Sequence, residues 1–95
     1  LLLAGRAGAL GAQSPAERAD RQIAAGDVAG AQATLDAAHR QAPNDYELLW
    51  RLSRVAVLTG DAQRENSPEQ AQSYQRALDL ANLAVRANPR SPDGY

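Results

Sequence analysis

Two glycine-aspartate pairs constrain what this chain can fold into more than any other feature. Gly26-Asp27 recurs as Gly60-Asp61 after 34 residues, and each pair stands between two runs of helical periodicity. A fixed period of this length marks stacked supersecondary units, each too small to bury its own apolar face and each completed by a neighbour. The composition supplies what such units need. Ala and Leu dominate the apolar residues, Phe, Met and Cys are absent, and Trp50 is the only tryptophan. A core made of Ala with Leu and Val suits helices at close approach, and good helix formers outweigh strand formers. Period and composition together predict an all-α fold.

Start and stop signals divide the chain into four helices. Ser14-Pro15-Ala16-Glu17 offers an N-cap serine, a proline at the first helical position and a capping-box glutamate, and Ser67-Pro68-Glu69-Gln70 repeats the arrangement. Asp27 caps the helix after Gly26. Asn44 or Asp45 caps the third, with Glu47 spaced to answer Asn44. Gly26, Pro43, Gly60 and Pro89 are the expected stops. Apolar stripes follow at helical spacing: Val28, Ala31, Leu35, Ala38 and Ala42; then Leu49, Leu52 and Ala56 widened by Leu48 and Val55; then Tyr74, Ala77, Ala81 and Ala84 flanked by Leu78, Leu80 and Val85. Short connections predict two antiparallel hairpins in series.

After the first Gly-Asp pair come Ala31, Leu35, Ala38 and Pro43; after the second, Ala77, Ala81, Ala84 and Pro89 form the same series displaced by twelve residues. This pattern resembles the second helix of a tetratricopeptide repeat. Leu52 and Ser53, with Trp50 close to the usual aromatic position, resemble the first helix. The resemblance implies tetratricopeptide-like hairpins stacked as the start of a right-handed α-solenoid. Residues 1–13 are then a leader, 14–44 a first, degenerate capping repeat, 45–91 a second repeat with an insertion at about 62–73, and 92–95 the start of a truncated third. Tyr46 to Arg54, followed by Tyr74, Ala77, Leu80, Ala81, Ala84 and Asn88-Pro89, also resembles the regulator of microtubule dynamics family over residues 27–95. The shared residues are mainly those that pack helices, so microtubule binding is not carried over.

Ten basic residues, all Arg, face eleven acidic ones spread along the chain. No basic block exists for nucleic acid to neutralise, so none is expected as a partner. Arg without Lys and abundant Ala point to a GC-rich bacterial source. The absence of Cys removes disulfides and thiolate ligands, and a single His39 makes neither a metal site nor a triad; it reads as solvent-facing. The carboxylates of Asp45 and Glu47, or Glu65 and Glu69, fit capping and solvation, since no nucleophile or glycine-rich phosphate loop accompanies them. No catalytic residue, cofactor or metal is expected, and no stretch is long and apolar enough to span a membrane. Leu1 to Ala9 has an apolar run and a small-x-small Ala7-Gly8-Ala9 segment. It reads either as a signal-peptide remnant of an exported or periplasmic protein or as an Ala/Gly leader of a cytoplasmic one.

One surface remains for function. Glu47, Trp50, Arg54 and Val57 recur at spacings of three, four and three, away from the Leu49, Leu52, Ala56 stripe. A tryptophan beside an arginine combines the residue types enriched in binding hot spots. The tetratricopeptide resemblance places Glu47, Trp50 and Arg54 on a concave groove that holds a partner segment. The alternative is that Trp50 packs on a neighbouring repeat or under the insertion. The Lys and Asn of a chaperone-tail clamp are absent there. The expected function is a non-catalytic scaffold for a protein or peptide partner; alternatively the chain is an accessory domain of a larger enzyme or transport system.

Overall fold

The computed structural model describes residues 13–88. The leader up to residue 12, Pro89 as a helix stop, and the truncated third repeat at 92–95 lie outside these residues. Four helices follow in order: α1 (Pro15–Ala24), α2 (Val28–Gln41), α3 (Tyr46–Asp61) and α4 (Pro68–Ala87). No strand occurs among the described residues.

Local chemistry sets most helix ends. Ser14 and Glu17 close a reciprocal capping box, each bond 3.1 Å, with Pro15 following at the first helical position. At the other end of α1, Gly26 has φ +84°, a left-handed conformation that glycine adopts without a Cβ penalty. The Gly26 N–H donates to the Ile23 carbonyl and the Asp27 N–H to that of Gln22, the paired bonds of a Schellman stop. Asp27 then turns cap, its Oδ1 accepting from the Gly30 N–H at 2.9 Å to open α2. For α3 the cap is Asp45, which accepts from the Glu47 N–H. Glu47 does not reach back to Asn44, because its carboxylate is held further along the helix. Ser67 caps α4, but Gln70 does not complete a box with it. The Gln70 Oε1 accepts from Asn66 instead, and its amide donates to the Gly60 carbonyl.

The second Gly-Asp pair behaves unlike the first. Gly60 does not stop α3; it is buried inside the last turn, and a Cβ there would lie 2.6 Å from Cε1 of the Tyr74 ring. Asp61 accepts from the Tyr74 hydroxyl rather than capping a helix. The next helix starts only at Pro68, so the chain needs no turn at Gly60 and the space beside it is taken by an aromatic ring. Asp61, Ala62 and 64–66 are exposed, yet the segment is stitched down by Gln63 to Ser73 and by the buried Ser67.

Cross-helix pairings fix the hairpins as antiparallel. Gln22 near the end of α1 accepts from Thr34 in α2, while Ser14 and Pro15 at its start lie beside Ala38 and Ala42. In the second hairpin Gly60 meets Tyr74, the Ser53 hydroxyl donates to the Ala77 carbonyl at 2.7 Å, and Trp50 lies near Ala84. The two hairpins share one core. Ala19, Ala31, Leu35, Leu48, Leu49, Leu52, Val55, Leu80 and Ala84 form a single buried cluster drawn from all four helices. Each Leu in it contributes on the order of 1.5–3 kcal/mol by leaving water. Leu78 and Val85, expected to flank the packed stripe of α4, are 55% and 58% exposed because none of the described helices covers that side. His39 is half-buried rather than solvent-facing. Its Nδ1 is shut off from solvent without a hydrogen-bond partner, in the cleft between α2 and α4 lined by Arg76, Asp79 and Leu80.

Candidate functional site

α3 divides its surface cleanly. Leu48, Leu49, Leu52, Val55 and Ala56 face the core, leaving Glu47, Trp50, Arg54 and Val57 on the opposite arc. Glu47, Arg54 and Val57 are exposed, and Trp50 is half-buried with part of its ring against the core cluster.

Arg51, not singled out from the sequence as part of this site, organises the face. Its Nε and Nη2 donate to the two carboxylate oxygens of Asp20 on α1 at 2.8 and 2.9 Å, a bidentate clamp that ties the first hairpin to the second. Its Nη1 donates to the Glu47 carboxylate at 2.7 Å and to the Glu47 carbonyl at 2.9 Å. The same guanidinium sits 4.2 Å from the centre of the Trp50 ring, within cation–π range. Trp50 donates its indole N–H to Glu47 at 3.3 Å. Glu47 and Arg51 stand four residues apart, the spacing at which a helix brings opposite charges together. The Asp20 link joins residues 31 apart on two different helices and carries no local signal.

These contacts set the charges. The Asp20 carboxyl is held below the ordinary carboxylate range, chiefly because Arg51 donates to it, with partial burial working the other way. Glu47 is lowered for the same reason, helped by the Trp50 indole. Arg51 is driven higher still by the Asp20 carboxylate. Arg54, one turn on, makes no hydrogen bond or ion pair among the described residues, though its charge reaches Asp20.

Beside this face runs a groove of about 290 Å³ between the first half of α3 and the last half of α4. Tyr46, Trp50 and Ser53 line one wall and Ala81, Ala84 and Val85 the other. The site thus joins an apolar slot to a fixed array of charges. Among the described residues, no cluster of His, Cys, Asp and Glu is arranged to hold a metal ion, and no helix is long and apolar enough to cross a membrane.

Comparison of the chain with protein-family models, characterised proteins and solved structures returned no match.

Proposed function

We propose that this chain is a non-catalytic, tetratricopeptide-like scaffold, its hairpins stacked in the sense of a right-handed solenoid, that binds a segment of a partner protein along the outward face of α3. The observation that carries this reading is the division of α3. Its inner arc meets the packing needs of both hairpins, so Trp50 is held partly open beside an apolar groove, with Arg54 exposed one turn away. Large aromatic and arginine side chains in such a setting dominate binding energies. Trp50 is also preorganised, since Arg51 and Glu47 fix its ring before any partner arrives, which lowers the ordering cost of association. Trp50 is the apolar anchor, Arg54 the charge that orients the segment, and Glu47 and Val57 the rim.

The test is a titration. Partners recovered by affinity capture are measured against wild-type protein and Trp50→Ala, with thermal melts of both. The expected outcome is a loss of about 2 kcal/mol or more in binding with a small change in melting temperature. Full affinity together with a collapsed melting temperature would return Trp50 to the core and remove the reading.

A further inference from the structure

The two hairpins can be superposed in sequence, because first helices correspond at 34 residues and second helices at 46, the period plus the twelve-residue displacement. Under this correspondence Ala19 and Ala31, both fully buried, answer to Ser53 and Ala77, which are joined by a hydrogen bond from the Ser53 hydroxyl to the Ala77 carbonyl. The first hairpin's end face, with Ala19, Ile23, Val28 and Leu35, belongs to the core that α3 completes. Its counterparts on the second hairpin are Ser53, Val57, Tyr74 and Ala81. Here the apolar surface is open: Val57 is 40% exposed and Tyr74 39%. Val57 and Tyr74 therefore stand open at the positions that Ile23 and Val28 hold on the covered face of the first hairpin, and Val85 extends this surface along the groove beside Trp50.

The charges sharpen this. Asp20 of the first hairpin corresponds to Arg54 of the second. Asp20 is the group that the covering helix grips, through Arg51. Arg54 occupies the same place with the sign reversed and is exposed. A helix seated on the second hairpin as α3 is seated on the first would bring its Arg51-equivalent position to Arg54, and only an acidic residue there would match.

We infer that the open end face of the second hairpin docks an amphipathic helix of a partner protein, bearing an aliphatic stripe like that of Leu48, Leu49, Leu52 and Val55 and a carboxylate for Arg54 where α3 carries Arg51 for Asp20. This rests on the scaffold reading above and gives the partner its chemistry. The aliphatic stripe fills the groove beside Trp50, and the carboxylate sets register and excludes helices with a basic residue at that position, the usual contribution of rim charges to specificity.

The probe is a synthetic peptide of the α3 sequence, Asp45 to Ala62, in two forms: native, and with Arg51→Glu. Each is titrated by fluorescence anisotropy against the 95-residue protein and its Arg54→Glu variant, whose folding is checked by circular dichroism. Wild type is expected to bind the Glu form about fivefold more tightly than the native form, and Arg54→Glu to reverse the order. The crossover matters because the substitution also alters peptide helicity, a difference that cancels when both proteins meet the same two peptides. Equal affinities, an order unchanged in Arg54→Glu, or no binding of either peptide would overturn the inference. So would a homodimer in sedimentation that Val85→Glu dissolves, since the face would then belong to a second copy. None of these touches the scaffold reading, which stands or falls separately on the Trp50→Ala titration against captured partner.

Discussion

The first hairpin is short and built on small residues, while the second is long and aliphatic. α1 and α2, of 10 and 14 residues, bury only Ala19, Ala31 and Leu35. α3 and α4, of 16 and 20 residues, bury Leu48, Leu49, Leu52, Val55, Ala56, Gly60, Ala77, Leu80 and Ala84. Yet the small hairpin is the covered one, and the large hairpin leaves apolar surface open. The difference teaches how a chain this short holds together. α3 is part of the second hairpin and also the lid of the first, so one helix supplies the apolar area that α1 and α2 lack. The first hairpin depends on the second much more than the reverse.

Truncating a large core residue in each hairpin gives the widest test of that asymmetry. Leu52→Ala and Leu35→Ala should each cost about 2–5 kcal/mol, measured by urea denaturation. Their patterns should differ. Leu52→Ala should loosen both hairpins together, whereas Leu35→Ala should strip amide-exchange protection from α1 and α2 while α3 and α4 keep theirs. Equal loss over all four helices in Leu35→Ala would mean the hairpins are not separable units. Next in size is Gly60→Ala, whose new methyl would drive into the Tyr74 ring at the closed end of the second hairpin. A destabilisation of about 1–3 kcal/mol is expected, and removing the ring in Gly60→Ala/Tyr74→Ala should cost less than the two single changes summed.

A smaller effect compares the helix starts. Ser67→Ala removes a buried cap from α4 and should cost about 1 kcal/mol; Ser14→Ala, in an exposed capping box, should cost no more. Thermal melts rank them, and a larger loss at Ser14 would reverse the dependence drawn above. The smallest change is at the bridge between hairpins. Asp20→Asn breaks a partly exposed ion pair worth about 0.2–1 kcal/mol. Its signature is in pH. The folded pKa of Asp20 lies below its unfolded value, so its stabilisation is present above the unfolded pKa and is lost as pH falls through the folded one. Asp20→Asn should therefore melt lower than wild type near neutral pH and approach it in acid. A gap that stays constant with pH would show that the carboxylate's charge is not what joins the hairpins.

The sequence disclosed what is local. Ser14, Asp27, Asp45 and Ser67 cap their helices across two or three residues, and the stripes of α2 and α3 could be read from spacing because the same helix carries cause and effect. It disclosed less wherever the cause sits on another element. Gly60 looked like a stop because the first Gly-Asp pair is one; it stays helical beside the Tyr74 ring, which a helix starting only at Pro68 brings alongside. Leu78 and Val85 looked packed because periodicity reports which side of a helix is apolar, not whether a neighbour exists to cover it. At the candidate site, Glu47, Trp50, Arg54 and Val57 could be grouped from spacing alone. Asp20 could not, since its tie to Arg51 joins residues 31 apart through the packing of two helices.

Trp50 has one further consequence, an optical one. The sole indole of the chain has a guanidinium 4.2 Å from its ring centre and a carboxylate at its N–H, and it borders the open groove. Its excited state is therefore exposed to two opposite charges whose balance changes whenever the Asp20–Arg51 tie is broken or the groove is filled. Because no second tryptophan dilutes the signal, the wavelength and intensity of its emission report the hairpin junction and the open groove together, without any label.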